Sequence, residues 1–207
     1  MDTNTGPILV VEDVPNILEL LKITLNFKGY QVMTARDGQE ALEQIEKTVP
    51  ALVITDILMP IMDGFAFVQK LRTDPKTIKI PVVFLSATYL TPEDKAFAMS
   101  LGASCFIEKP IDTEEFLLTI AELLTKERDT SPRPMDQHEF YLGYRDRLES
   151  KLRHKNAQLA RTQRLLTTLP DDQKEAYQAL FEQSTHDRDA IETELKEIYK
   201  MIDNSQK

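Results

Sequence analysis

Short apolar runs alternate with amphipathic segments from residue 7 to about residue 126, and this alternation restricts the possible folds more than any other feature of the chain. A parallel sheet covered by helices on both faces produces such a pattern, because its strands are buried on both sides and its crossovers are helical. The chain is therefore expected to form an α/β fold with a doubly wound sheet. The apolar runs predict five strands, at residues 8–11, 31–34, 52–55, 82–85 and 104–107.

The segments between the apolar runs predict five helices, at residues 16–27, 38–47, 64–73, 92–101 and 113–125. Gly29 is a stop signal for the first helix. Thr91 can cap the fourth helix, with Pro92 at its first position. Asp112 can cap the fifth helix, with Glu115 three residues further on.

Polar side chains follow four of the apolar runs: the pair Glu12 and Asp13, then Asp56, Ser86 and Lys109. In doubly wound sheets ligands bind outside the carboxyl ends of the strands, so these side chains are expected to meet. Three acids in one place repel one another and require a hard cation, for which all-oxygen ligands select Mg²⁺ or Mn²⁺. The set predicts phosphoryl transfer to Asp56 as the nucleophile, with Lys109 and Ser86 contacting the phosphoryl oxygens.

Composition limits the environment and the partners of the chain. The net charge of -9 opposes non-specific binding to nucleic acid, so we do not expect nucleic acid as a partner. The single cysteine, Cys105, excludes an internal disulfide and fits a reducing cytosol. No stretch approaches the ~20 apolar residues that span a bilayer, and the first residues lack the pattern of a signal peptide. We therefore expect a cytoplasmic protein without a membrane partner.

Residues 7–126 resemble a receiver domain of a two-component response regulator. Five stretches carry the resemblance: Ile8-Leu-Val-Val-Glu-Asp-Val, Ala35-Arg-Asp-Gly-Gln-Glu-Ala-Leu, Asp56-Ile-Leu-Met-Pro-Ile-Met-Asp-Gly, Pro81-Val-Val-Phe-Leu-Ser-Ala and Leu101-Gly-Ala-Ser-Cys-Phe-Ile-Glu-Lys-Pro. The resemblance implies a flavodoxin-like sheet of order 2-1-3-4-5. It also implies that a sensor histidine kinase or a phosphotransfer protein phosphorylates Asp56.

The resemblance assigns further roles by position. Mg²⁺ would be held by Asp13, Asp56 and the Leu58 carbonyl, with Glu12 acting directly or through water. Ser86 and Phe106 would form the switch that responds to phosphorylation. The Lys109-Pro110 bond would be cis. Such a protein would be a phosphoacceptor with metal-dependent self-phosphorylation and autodephosphorylation chemistry, not a kinase. The apolar Leu58 side chain cannot orient a hydrolytic water, so we expect slow self-dephosphorylation.

The character of the chain changes after residue 126. Residues 127–135 are polar with two prolines and predict a linker between a receiver domain at 1–126 and a second module at 136–207. Two coiled-coil stripes with polar centres follow, separated by Pro170. The first consists of Leu148, Leu152, Lys155, Leu159, Thr162, Leu166 and Leu169; the second consists of Tyr177, Phe181, Ser184, Arg188, Ile191, Leu195, Ile198 and Ile202.

The two stripes predict an antiparallel two-helix hairpin. Residues 145–164 carry a net charge of +5 and residues 171–203 a net charge of -6, so the two helices attract each other. Residues in contact are expected to have numbers that sum to about 340, which pairs Leu159 with Phe181 and Leu148 with Ile191. Two helices bury little core, so we expect the hairpin to form a homodimer or to bind a partner protein.

Two other outputs compete with this interpretation. The hairpin could take part in histidine phosphotransfer, since His138-Glu139 faintly resembles the phosphoacceptor start of a histidine-kinase hairpin. The arginine and proline expected after that start are absent, and His154 and His186 have no better context. DNA binding by the basic stretch 145–164 is a weaker alternative, because no short helix-turn-helix is visible and residues 171–203 would neutralise it.

Overall fold

The computed structural model describes residues 6–86, 92–125 and 134–205. Contacts divide the chain into two compact units, Met1–Met135 and Asp136–Lys207. The predicted cap Thr91 lies outside the described residues. Among the helices that the structure describes, none combines the length and the apolarity that a bilayer crossing requires.

The first unit contains a five-stranded sheet in which the neighbouring strands are all parallel. Its strands lie in the order β2-β1-β3-β4-β5, which confirms the doubly wound fold. The strands are β1 (Ile8–Val11), β2 (Val32–Ala35), β3 (Leu52–Asp56), β4 (Val82–Ser86) and β5 (Cys105–Glu108).

Five helices alternate with the strands. They are α1 (Pro15–Phe27), α2 (Gly38–Lys47), α3 (Gly64–Thr73), α4 (Pro92–Ser100) and α5 (Thr113–Thr125). Gly29 has φ 87° just after α1, as its predicted role as a stop requires. The Glu115 amide donates to the Asp112 carboxylate at 2.9 Å, which confirms the predicted cap of α5.

Several strand ends differ by one residue from the prediction, and the ladder explains the difference. Asp56 lies opposite Leu85, and Ser86 lies opposite Glu108, so both polar residues belong to their strands. The sequence pattern placed them just beyond the ends because a polar side chain breaks an apolar run. β2 and β5 each start and end one residue later than predicted.

One core cluster lies between the sheet and the helices α1 and α5. Leu21 and Leu25 from α1 and Phe116 and Ile120 from α5 pack with strand side chains of β1, β3 and β4. These four helix side chains are at most 3% exposed. Each of the two helices therefore packs against the sheet with one face.

Arg72, near the end of α3, is a fully buried arginine at 1% exposure. Its guanidinium donates to the carbonyl oxygens of Ile78 and Ile80, at 3.1 Å each, in the segment before β4. It also donates to the carbonyl oxygens of Leu101 at 3.2 Å and Gly102 at 3.0 Å, just after α4. One side chain thus connects three segments of the fold.

The second unit is a helical hairpin of α6 (Gln137–Thr168) and α7 (Asp171–Ser205). The Tyr144 hydroxyl donates to Glu194 at 2.6 Å, and Lys155 forms an ion pair with Asp187 at 3.1 Å. Their residue numbers sum to about 340, so the helices are antiparallel in the predicted register.

Most of the predicted hairpin stripe is buried or half-buried, including Leu148, Leu159, Ser184 and Ile198. Tyr177 is the most exposed residue of the two stripes, at 37%.

Candidate functional site

The carboxyl ends of β1 and β3 bring three acids together. Glu12 directly follows β1, Asp13 comes next, and Asp56 is the last residue of β3. One carboxylate oxygen from each lies within 4.8 Å of the others. Glu12 is fully buried and Asp56 is 8% exposed, so water screens these charges poorly.

Lys109 bridges two of the acids from the end of β5. Its Nζ lies 2.7 Å from Glu12 Oε2 and 3.0 Å from Asp56 Oδ1. Its backbone amide donates to the Ser86 carbonyl oxygen at 2.7 Å, which fixes the β5 exit against the end of β4. The Lys109-Pro110 bond is cis, as the resemblance to receiver domains implied.

Burial determines the electrostatics of the cluster. Desolvation is the largest influence on both Glu12 and Asp56, and it raises the pKa of each carboxyl despite the hydrogen bonds from Lys109. Burial lowers the pKa of Lys109, but Glu12 and Asp56 together outweigh this effect, and the net pKa of the ammonium is raised. The cluster therefore contains more negative charge than one lysine can compensate.

A divalent cation fits this donor set. Three carboxylates supply only oxygen ligands, which suit Mg²⁺ or Mn²⁺ better than softer metals. The raised pKa values of Glu12 and Asp56 indicate that added positive charge would stabilise the ionised cluster. Glu12, Asp13 and Asp56 are the side chains that would hold the ion.

The other predicted site residues lie at different depths. Ser86 ends β4, beside β3, and is 1% exposed. Leu58, two residues beyond Asp56, is 55% exposed. Phe106 is half-buried on β5, and the Lys95 ammonium from α4 lies 6.0 Å from its ring centroid.

Gly64 is a residue of the site to which sequence reasoning gave no role. A Cβ at this position would lie 2.2 Å from the Asp56 carbonyl oxygen and 3.1 Å from Ile57 Cα. The Gly64 amide donates to the Ile57 carbonyl at 2.9 Å, and Asp63 caps α3 through the Ala66 amide. The Asp-Gly pair at 63–64 is the signal that could have revealed this close approach to the Asp56 backbone.

The family of the chain follows from comparison with known proteins. Residues 8–121 match the family described as response regulator receiver domain. Response regulator Rre1 of Synechocystis is 36% identical over 60% of this chain and 54% of its own length. Response regulator PleD of Caulobacter vibrioides is 38% identical over 62% of this chain and 30% of its own length. The chain thus spans about half or less of the length of these curated relatives.

Solved structures give the same result. Chemotaxis response regulator CheY4 of Vibrio cholerae has a TM-score of 0.54 at 34% identity, covering 58% of this chain and 99% of that chain. The signal receiver domain of a histidine kinase from Syntrophus aciditrophicus has a TM-score of 0.55 at 36% identity, covering 61% and 97%. The fold and the acidic cluster define a phosphosignalling α/β domain, and the chain belongs to the response regulator receiver domain family of two-component signalling.

Proposed function

We propose that Asp56 accepts a phosphoryl group from the phosphohistidine of a sensor histidine kinase or of a phosphotransfer protein. The observation that carries the proposal is the buried cluster of Glu12, Asp13 and Asp56 with Lys109 bound to two of its members. An Asp56 carboxylate oxygen forms the new bond to phosphorus while the bond from phosphorus to the donor imidazole breaks. The imidazole nitrogen keeps the electron pair and takes a proton from solvent.

Each neighbouring group has a defined part in this reaction. Lys109 supplies a mobile positive charge that can move from Asp56 to a phosphoryl oxygen. The Ser86 hydroxyl can donate to another phosphoryl oxygen from the neighbouring strand end. A bound divalent cation would neutralise negative charge between the acids and the donor phosphate. The chain offers a phosphate acceptor of this kind, and we propose no kinase activity for it.

Phosphorylation by a small donor tests this role. Acetyl phosphate with Mg²⁺ should add one phosphoryl group to the full chain, detected by intact mass spectrometry. Asp56→Asn should abolish the addition, whereas Asp203→Asn, at an exposed carboxylate on α7, should leave it unchanged. A wild-type chain that takes up phosphate neither from acetyl phosphate nor from a phosphohistidine donor would overturn the proposal.

For the second unit we propose a protein-interaction module at 136–207, joined by a linker at 127–135, which binds a partner protein or a second copy. Its helices carry opposite net charge, and Leu165, Tyr177 and Leu180 leave apolar surface exposed near the α6–α7 turn. Replacing Tyr177 and Leu180 by glutamate should remove partner capture or hairpin-mediated association. Unchanged capture and unchanged association in this variant would contradict the module.

A further inference from the structure

The outer surface of α1 and α5 exposes large apolar side chains. Leu20, Ile23 and Phe27 lie along one side of α1 at 63%, 57% and 86% exposure. Leu118 on α5 is 59% exposed. Single exposed apolar residues are ordinary on protein surfaces, but a contiguous group of this kind indicates an interaction surface.

The fold does not require these side chains. Leu21 and Leu25 already attach α1 to the sheet, and Phe116 and Ile120 do the same for α5. The exposed residues lie on the other side of each helix and contribute little buried area. Polar residues at these positions would serve a solitary domain equally well.

A groove runs along this surface between the two helices, with a cavity volume of about 820 Å³. Its apolar walls come from Ile23, Phe27, Tyr30, Leu117, Leu118 and Ala121. The charged residues of its lining are Lys28, just after α1, and Glu114, in the first turn of α5. The groove and the exposed Phe27 ring belong to the same patch.

We propose that this α1–α5 patch binds the α1–α5 patch of a second copy of the chain around a two-fold axis. A two-fold interface must be self-complementary, because each copy presents the same residues. This patch meets the condition in shape, since the Phe27 ring can enter the partner copy's groove. The patch is also self-complementary in charge, because Lys28 of each copy can face Glu114 of the other.

The proposal is independent of Asp56 phosphorylation and of the hairpin. The patch offers only four large exposed apolar side chains, so we expect the pairing to be weak and concentration-dependent. If the hairpin also associates, the α1–α5 pairing would convert dimers into larger species. Variants confined to the patch would prevent only the formation of these larger species, and the hairpin-mediated dimers would remain.

Charge reversal and mixing test the pairing directly. Sedimentation equilibrium of the full chain over a range of concentrations should show that Phe27→Glu raises the dissociation constant at least tenfold. Lys28→Glu and Glu114→Lys should each weaken association, since each creates two like-charge contacts in the symmetric pair. An equimolar mixture of these two variants should associate as tightly as wild type, because both contacts are then between unlike charges.

Lys47→Glu, a charge reversal on α2, is the control and should associate like wild type, with circular dichroism verifying the fold of every variant. Three results would overturn the proposal. The first is a wild-type chain that associates no more strongly than Phe27→Glu at any concentration. The second is unchanged association in both Lys28→Glu and Glu114→Lys. The third is an equimolar mixture of these two variants that associates as weakly as each variant does alone.

Discussion

At the scale of single residues, Asp56 is placed where its own charge opposes folding. Desolvation raises the pKa of its carboxyl above the ordinary value of 3.8. The folded state therefore binds a proton at Asp56 more tightly than the unfolded chain does. Stability from this group is present at low pH and is lost as pH rises through the folded pKa. At neutral pH and without a divalent cation, the ionised side chain destabilises the fold.

Asp56→Asn should consequently stabilise the metal-free protein. Without the charge, Glu12 and Asp13 experience less repulsion, and Lys109 keeps its bond to Glu12. We expect the free energy of unfolding to rise by on the order of 1 kcal/mol in urea titrations at pH 7 with a chelator. The gain should shrink with added Mg²⁺, which stabilises the wild-type carboxylate. A lower stability of the variant in chelator would contradict this electrostatic account.

Ile61 is a second residue that opposes stability, in this case through its backbone conformation. It has φ 64°, and a β-branched side chain is strained in this left-handed region by ~1–2 kcal/mol. Its side chain is 85% exposed, so little burial would be lost on removal. Ile61→Gly should therefore stabilise the protein by roughly 0.5–1 kcal/mol, after about 0.5–1 kcal/mol of added chain entropy is subtracted.

Val49→Gly is the matched control for this substitution. Val49 is also β-branched and is 49% exposed, but it does not have a positive φ. Replacing Val49 by glycine should destabilise the protein, because glycine raises the conformational entropy of the unfolded chain and relieves no strain in the folded one. Equal destabilisation in both variants, measured by thermal unfolding, would show that the backbone at Ile61 stores no strain.

At the scale of elements, Arg72 holds parts of the chain that are distant in sequence. It connects α3 to the segment before β4 and to the turn after α4 through four backbone carbonyl groups. Carbonyl groups in such turns have no ladder partner of their own and must find a donor when buried. The rigid, planar guanidinium can serve several carbonyls at once, whereas a lysine presents one nitrogen.

Arg72→Met should lower the free energy of unfolding by about 3–4 kcal/mol, and Arg72→Lys by about 2 kcal/mol, because buried acceptors lose charged hydrogen bonds. Urea titration measures both effects. Arg36→Met, at an exposed arginine after β2, should change stability by less than about 0.5 kcal/mol. Similar small effects at Arg72 and Arg36 would mean that the connection contributes little to stability.

Elements were predictable from sequence where the signal is local. The strands, the Asp112 cap and the Gly29 stop each follow from a few adjacent residues, and the hairpin register followed from leucine spacing and the intervening proline. The role of Arg72 was not predictable, because its acceptors at 78–80 and 101–102 meet only in the folded chain. Gly64 was missed for the same reason: what excludes its Cβ is the Asp56 backbone. Ile61 gave no signal because isoleucine rarely adopts positive φ.

At the scale of the whole molecule, the receiver and the hairpin have separate sources of stability. The sheet buries continuous apolar strands, whereas the hairpin relies on a narrow stripe and on polar bonds such as Tyr144–Glu194 and Lys155–Asp187. Under the proposed function, a signal from Asp56 would first have to change the surface of the receiver. Phe106 is the predicted part of that surface; it is half-buried on β5, with the Lys95 ammonium 6.0 Å from its ring centroid.

Beryllofluoride with Mg²⁺ imitates the aspartyl phosphate and should change the shape or the association state of the full chain if Phe106 transmits the signal. Using Lys28→Glu as the parent would weaken the α1–α5 pairing and so reduce its contribution to any change in sedimentation. Phe106→Leu in this parent should still accept phosphate from acetyl phosphate but lose the sedimentation change. Asp56→Asn should lose both responses. If Phe106→Leu retained the full sedimentation change, the signal would have to leave the receiver by another route, because leucine cannot reproduce the ring that lies against Lys95.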